Sequence, residues 1–244
     1  MKTAWYLGHK SSDVGEGAIL VGDPDRIDRI AAHLGNPVFL PVSRGLRTVT
    51  GTFGGRQITA VSFGMGAPIA SIVMSELNEL GTKSFLRVGT AMYFPPASAG
   101  SLMMSDHIMS FDGTSTSYAD DVNSARASSK LNKIANDIIL NGGEKAFTGT
   151  FATYDAFYRD MFPLDQGSKP KVDENCSVMV KGGAIASDME TAALVNVAHY
   201  LKVDFTSICV ATVHGHTREK LHPDVLAPRE GKMFEIALKT LTAK

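Results

Sequence analysis

The sequence predicts an α/β fold, and two observations support that prediction. Apolar, β-branched segments recur along the chain, at 18–21, 57–62, 84–88, 106–111, 145–150 and 205–213. Between them, apolar residues follow the helical period at 69–80, 123–141, 191–201 and 231–242. Such alternation is typical of a sheet covered by helices. We expect a single domain over residues 1–244, because no linker, repeat or low-complexity tail interrupts the pattern.

The connecting segments are predicted from their turn residues. Gly54 and Gly55 predict a hairpin immediately before the strand at 57–62. Residues 119–129 and 163–176 are polar and rich in Ser, Asp, Gly and Lys, so we expect loops there. The segment 93–101 contains two consecutive prolines and should be irregular.

Composition narrows the class of protein. The chain has 244 residues, of which 44% are hydrophobic and 20% charged, and its net charge is -1. No apolar run is long enough for a membrane span, and the near-neutral charge gives no reason to expect a nucleic acid partner. The amino terminus lacks a secretory signal, and the two cysteines are too few for a disulfide framework. We therefore expect a cytoplasmic protein with a small-molecule substrate.

The first candidate site follows the strand at 18–21. The strand ends at Gly22, Asp23 can cap a helix, and Pro24 can open it before Arg26. Backbone N–H groups at a helix start, with an arginine nearby, suit an oxyanion.

A second glycine turn follows the strand at 84–88. Gly89 permits close backbone approach, Thr90 offers a hydroxyl donor, and Arg87 is a forked cation suited to phosphate or carboxylate. Either turn alone is more often a purely structural turn. The two together predict a phosphate-binding site.

A series of motifs follows in order along the chain. The motifs are GDPDR from Gly22, SRGL from Ser43, TGTFGG from Thr50, GMGAP from Gly64, RVGT from Arg87, DGTS from Asp112, DAFY from Asp155 and SDMETAA from Ser187. This series resembles the nucleoside phosphorylase family, in the branch that holds uridine phosphorylase and hexameric purine nucleoside phosphorylase. The resemblance implies three α/β/α layers around a central mixed, partly closed β-sheet. It also implies dimers, commonly assembled into a trimer of dimers, with sites at the dimer interface.

The resemblance assigns roles to residues of the two turns and of the last motif. Phosphate, a co-substrate and not a cofactor, would contact Gly22, Arg26, Arg87, Thr90 and, from the neighbouring subunit, Arg44. The ribose would rest on Asp188, Met189 and Glu190, with Arg87 and Glu190 acting as catalytic groups. Phosphorolysis needs a held dianion, a gripped ribose and a base that is helped to leave.

The base site departs from the family. Phe157 resembles the aromatic residue that stacks on the base, with Tyr158 beside it. Purine members carry an Asp where this chain has Gly215, and the Gln by which uridine phosphorylases read uracil is missing after the Phe-Tyr pair. The candidates to assist the base are His214, His216, Arg218 and Arg159, which could equally be exposed loop residues. We assign His216 a catalytic role, and we expect no metal in spite of the His-Gly-His triplet.

Because Gly215 offers no acid, we expect uridine-type substrates to be favoured over purines. The alternatives are a purine nucleoside phosphorylase, a hydrolytic nucleosidase and a non-catalytic nucleoside-binding protein of the same fold. Either Tyr6 or His9 could reach the ribose of a neighbouring subunit.

Overall fold

A mixed nine-stranded sheet, partly closed on itself, forms the centre of the molecule. The structure is a computed structural model and describes residues 2–243. Its strands are β1 (Gly17–Val21), β2 (Gly35–Ser43), β3 (Leu46–Phe53), β4 (Arg56–Ser62), β5 (Ser84–Tyr93), β6 (Leu102–Phe111), β7 (Ala146–Tyr154), β8 (Ala184–Asp188) and β9 (Asp204–His214). Their order is β2-β3-β4-β1-β5-β8-β7-β6-β9, and β9 pairs again with β5. The strands β5 to β9 therefore close a ring, which β1 to β4 extend as an open sheet.

Helices pack on both faces of the sheet. They are α1 (Arg26–Ala31), α2 (Ala67–Leu80), α3 (Ser129–Asn141), α4 (Lys169–Lys181), α5 (Thr191–Leu201) and α6 (Pro223–Thr242). Ala18 and Leu20 of β1 pack in one buried cluster with α2 and α5. Ile19 and Val21 pack in another with α1, α3 and α6. Because successive residues of a strand point to opposite faces, the helices form two outer layers. This confirms the expected three-layer α/β/α fold with a mixed, partly closed sheet.

No helix in the described part of the chain is long and apolar enough to cross a membrane.

The predicted hairpin is confirmed. Phe53 of β3 pairs with Arg56 of β4 in an antiparallel ladder. Gly54 and Gly55 connect them with φ values of 57° and 78°. Two residues with positive φ suit a type I′ turn, which favours glycine. The irregular segment after Tyr93 is confirmed as well.

The predicted loop at 163–176 is wrong in its second half, where α4 begins at Lys169. The helix buries Val172, Cys176 and Met179 and exposes most of its other residues. Because this apolar stripe is narrow and the outer face is polar, the sequence pattern did not indicate a helix here. Three strands were also missed. Two prolines interrupt the exposed strand β2. A short turn joins β2 to β3, and β8 is only five residues long.

Two helix starts differ from those predicted. The helix expected at 123–141 begins at Ser129, after Ser128 caps it by accepting from the Leu131 N–H at 3.3 Å. The last helix begins at Pro223 and not at 231, with Pro228 inside it. A proline and a glycine lie near the middle of this helix. Because these residues are typical of helix ends, the sequence pattern did not indicate the turns before them.

The amino-terminal segment is held on α2 by one buried carboxylate. Glu76 accepts hydrogen bonds from the backbone N–H groups of Tyr6 at 2.7 Å and Leu7 at 2.8 Å. The Arg44 guanidinium lies 4.9 Å from the centre of the Tyr6 ring. Glu76 therefore fixes the segment against which Arg44 rests.

We expect Glu76→Ala to lower the free energy of unfolding by about 1–3 kcal/mol, because it leaves two backbone N–H groups without their acceptor. Urea unfolding monitored by circular dichroism measures the change. Glu79→Ala is the matched control, since Glu79 lies on the same helix with its side chain 45% exposed. Equal stability of the two variants would contradict this role.

Candidate functional site

A cavity of about 530 Å³ opens where several strands end. β1, β4, β5 and β9 run parallel, so their carboxyl ends meet at one edge of the sheet. The turns after β1 and β4, the ends of β5 and β9, and the β8–α5 junction line the cavity. Ligands of open α/β sheets bind at such an edge.

The first glycine turn forms one end of the cavity, together with the turn after β4. A Cβ on Gly22 would lie 2.8 Å from the Gly64 carbonyl oxygen, so the two turns approach too closely for a side chain. The Gly64 N–H donates to the Gly22 carbonyl at 3.1 Å. The helix expected after this turn is present as α1, but Asp25 occupies its N-cap position instead of Asp23.

Arg26, the first residue of α1, is oriented by Glu230 of α6. Its Nε and Nη2 atoms lie 2.8 and 2.7 Å from Glu230 Oε1. Arg29 Nη1 binds the other carboxylate oxygen at 2.5 Å. Arg26 and Glu230 are both buried, and Arg26 lines the cavity. A buried carboxylate thus fixes a cation at the cavity wall.

Arg87 is a buried residue of the cavity lining, and it forms ion pairs with two carboxylates. Its Nη2 is 2.5 Å from Glu190 Oε2, and its Nη1 is 3.0 Å from Asp188 Oδ2. Nη1 also lies 2.9 Å from Cys209 Sγ. Burial alone would lower the pKa of Arg87, but these carboxylates raise it overall. A Cβ on Gly89 would lie within 3.4 Å of the guanidinium, so this glycine makes room for Arg87.

Glu190 joins Arg87 to the start of α2. Its Oε1 accepts from the Gly66 N–H at 2.7 Å while Oε2 binds Arg87. Burial raises the pKa of the Glu190 carboxyl, and the charge of Asp188 adds to that rise against the opposing effect of Arg87. Met189 and Glu190 both line the cavity.

The carboxylate oxygens of Asp188 already have hydrogen-bond partners within the protein. Its Oδ1 accepts from the Thr153 hydroxyl at 2.8 Å and from the Thr191 N–H at 3.1 Å. Its Oδ2 accepts from the Thr191 hydroxyl and from Arg87. The residue thus binds the N–H of the first residue of α5 and anchors Arg87.

The other end of the cavity is apolar. It is lined by Met92, Val213, Met161 and Phe157. Phe157 begins a short π-helical turn, Phe157–Met161, and its ring stacks on Phe162 with a centroid distance of 5.7 Å. This end suits a flat ring held by stacking and dispersion.

The expected base-handling side chains lie outside the cavity of this chain. His214 Nδ1 accepts from the N–H groups of His216 at 3.1 Å and Thr217 at 3.2 Å. The Arg218 guanidinium lies behind the cavity wall, with Nη1 3.4 Å from Met92 Sδ and Nη2 3.3 Å from Cys176 Sγ. His216 is exposed.

Tyr158 and Arg159 also lie outside the cavity. Tyr158 is 56% exposed, and Arg159 is exposed too. The structure thus places Phe157, but not its neighbours, in the cavity wall.

Arg44 is exposed at the β2–β3 turn, where its φ is 53°. It does not line the cavity of its own chain. Of the two amino-terminal candidates, Tyr6 lies beside Arg44. His9 is buried against the Thr48 hydroxyl at 3.0 Å, and burial lowers its pKa.

Five cavity or site residues carry no local signal that assigns them to the site: Glu230 and the apolar residues Met65, Met92, Met161 and Val213. Glu230 is separated from Arg26 by 204 residues, so no local spacing links them. Its position on the buried face of α6 is the one signal that singles it out, because a buried carboxylate requires a partner.

Comparisons with known proteins agree with this geometry. The family model described as "Phosphorylase superfamily" matches residues 17–239. Uridine phosphorylase of Treponema pallidum is 30% identical over 78% of this chain and 74% of its own length. Purine nucleoside phosphorylase DeoD-type of Clostridium perfringens strain SM101 is 31% identical over 96% of each.

A crystal structure of uridine phosphorylase from Vibrio fischeri is also similar. It has a TM-score of 0.88 at 26% identity and covers 100% of this chain and 98% of its own. The family model spans nearly the whole chain, including both glycine turns and the β8–α5 junction. The chain therefore belongs to the phosphorylase superfamily, among the nucleoside phosphorylases.

Proposed function

We propose that this chain cleaves the N-glycosidic bond of a nucleoside with inorganic phosphate, releasing free base and pentose 1-phosphate. One observation carries the proposal. A single cavity joins Arg26, Arg87 and Thr90 to the Met189-Glu190 pair and then to an apolar slot. These parts suit a dianion, a sugar and a flat base, in that order. Inorganic phosphate is the co-substrate, and the proposed reaction uses no cofactor.

In the proposed reaction a phosphate oxygen attacks the anomeric carbon while the bond to the base nitrogen breaks and its electron pair leaves with the base. Arg26 and Arg87 hold the dianion beside that carbon. Glu190 accepts from the ribose hydroxyls and stabilises the developing oxocarbenium charge. Met189 packs against the sugar.

Two buried polar atoms support a ligand here. Among the described residues, Nε of Arg87 and Oγ of Ser187 lack a protein hydrogen-bond partner, and both residues line the cavity. An unpartnered buried polar atom costs about 1–3 kcal/mol. A bound oxyanion or sugar hydroxyl within reach would remove that cost.

We propose uridine-type nucleosides as the favoured substrates. Both uridine and purine phosphorylases are similar to this chain, so the preference rests on the base end of the cavity. Gly215 supplies no acid, and a uracil can leave with its charge on the carbonyl oxygens, whereas a purine gains more from protonation. The sequence predicts that His216 or Arg218 donates a hydrogen bond or proton to the leaving base. Such donation requires residues 214–218 to change conformation.

We also propose that the site is completed by a second copy of the chain, in a homodimer or a trimer of dimers. Arg44 is exposed and rests on Tyr6, outside its own cavity, which suits a cation offered to a neighbour.

Cys176 and Cys209 are buried and unpaired, which suits a reducing cytoplasm.

Phosphorolysis is tested with uridine, thymidine, inosine and adenosine, each with and without phosphate, by following free base. We expect turnover that requires phosphate and a higher kcat/KM for uridine than for inosine. Turnover that persists without phosphate would indicate a hydrolase. Binding without any product would indicate a non-catalytic protein.

We expect Glu230→Ala to raise the KM for phosphate about tenfold, equivalent to roughly 1.4 kcal/mol, because Arg26 loses the carboxylate that orients it. The KM for the nucleoside should change little. Glu235→Ala is the matched control, since Glu235 lies on the same helix and pairs at the surface with Lys239. An unchanged phosphate KM in Glu230→Ala would show that Arg26 needs no positioning.

The role of Arg44 is tested by complementation. We expect Arg44→Ala and Arg87→Ala each to lose most activity, and co-expression of the two to restore part of it. In a mixed dimer of one Arg44→Ala subunit and one Arg87→Ala subunit, one of the two sites has Arg87 from the first subunit and Arg44 from the second. Dimers of either variant alone contain no such site. Light scattering of the wild-type protein should give at least twice the mass of one chain. No recovery on co-expression, or a monomeric mass, would contradict the proposal.

A further inference from the structure

Ser187 is a buried serine of β8 that lines the cavity, and its hydroxyl has no partner in the protein. The residue is 0% exposed, and among the described residues its Oγ forms no hydrogen bond. Thr212, which also lines the cavity, donates instead to the Ala91 carbonyl at 3.3 Å. A buried hydroxyl without a partner is costly, and an alanine at this position would avoid that cost.

The pairing of β8 with its two neighbours shows which way the Ser187 side chain points. Ser187 lies opposite Met92 of β5 and opposite Ala152 of β7. Residues that pair directly across neighbouring strands have their side chains on the same face of the sheet. Met92 and Ala152 belong to the same buried cluster as Met161, against which Phe157 packs. Ser187 therefore faces the apolar end of the cavity.

The next residue, Asp188, faces the opposite way. Successive residues of a strand point to opposite faces, and Asp188 pairs with Thr153, from whose hydroxyl it accepts at 2.8 Å. Its other carboxylate oxygen binds Arg87. The two neighbours thus serve different parts of the site, Asp188 the charged part and Ser187 the apolar end.

We propose that the Ser187 hydroxyl donates a hydrogen bond to a carbonyl oxygen of the base. This inference rests on the proposed phosphorolysis. The apolar side chains at this end offer a flat ring stacking and dispersion, and the hydroxyl supplies the donor that they lack. Rotation about one bond, χ1, moves the hydroxyl among three staggered positions, so it can meet the base without a change in the backbone.

The same hydrogen bond would help the base to leave. When the glycosidic bond breaks, its electron pair moves onto the base, and in a uracil the negative charge is shared by the carbonyl oxygens. A hydrogen bond to a charged acceptor is stronger than one to a neutral acceptor. Ser187 would therefore favour bases that carry a carbonyl oxygen on the edge that faces β8.

The functional test uses Ser187→Ala, together with Ser187→Cys, which keeps the side-chain shape but offers only a weak donor. We expect both variants to lower kcat/KM for uridine about tenfold and to leave the KM for phosphate unchanged. In the reverse reaction, the KM for uracil should rise about fivefold, whereas the KM for ribose 1-phosphate should not change. An unchanged kcat/KM for uridine, or a KM for ribose 1-phosphate that rises as much as that for uracil, would overturn the proposal.

Thermal stability separates a ligand-binding hydroxyl from a structural one. Because the Ser187 hydroxyl has no partner in the protein, Ser187→Ala should leave the Tm unchanged or raise it. Ser105→Ala is the matched control, since Ser105 is a fully buried serine of β6 whose Oγ accepts from the Ser207 N–H at 3.0 Å. Its Tm should fall, because that N–H loses its acceptor. Equal losses of Tm in the two variants would show that the Ser187 hydroxyl is structural.

The two proposals fail in different ways. If the wild-type protein cleaves no nucleoside with phosphate, the proposed function is wrong, and calorimetry with uracil as the probe then decides the role of Ser187. Weaker uracil binding by Ser187→Ala than by the wild-type protein would support that role, and equal binding, or no binding by either, would contradict it. If both proteins cleave uridine equally well, the phosphorolysis stands and the role of Ser187 is wrong.

Discussion

The buried ion pairs of Arg87 connect the elements that form the cavity. Arg87 lies in the middle of β5, Asp188 ends β8, and Glu190 precedes α5. Through its second oxygen Glu190 also accepts from Gly66 at the start of α2. Removing a charge from water is costly unless it is paired and hydrogen-bonded. Loss of Arg87 would therefore leave two buried carboxylates without their cation, whereas loss of Asp188 or Glu190 would leave Arg87 with one carboxylate partner.

This arrangement sets the electrostatics of the proposed reaction. Arg87 already carries two carboxylate partners, so an incoming dianion must share its guanidinium with them. Burial, with a further contribution from the charge of Asp188, raises the pKa of Glu190. At the other end, Glu230 pairs with both Arg26 and Arg29, and Asp23 Oδ2 lies 3.6 Å from Arg29 Nη2, so the charges of this cluster balance. Glu230 thus holds Arg26 in place at the first glycine turn before substrate arrives.

The apolar end of the cavity, where we propose that the base binds, differs in kind from the end at the first glycine turn. Its walls are methionine, valine and phenylalanine side chains, which adapt to shape and provide stacking but no strong donor. Arg218 lies behind Met92 and bonds to the Gly215 carbonyl and Cys176, so it supports the cavity wall in this structure. The pairing of β5 with β9, which closes the ring, brings Phe94 and Gly215 together.

The sequence by itself determined the α/β class, most of the core strands, the Gly54-Gly55 hairpin, helix α1 and the residues of the two glycine turns. These features depend on neighbours within a few positions, where apolar period and turn chemistry act directly. Together with the ordered motifs, they also identified Met189, Glu190 and Phe157, which line the cavity. The tertiary structure alone decided that Glu230 orients Arg26, that Asp188 anchors Arg87, that Arg218 lies behind the wall, and that Phe94 covers Gly215. These contacts join residues far apart in the chain, and local spacing carries no information about which distant side chain will satisfy a buried charge or fill the space above a glycine.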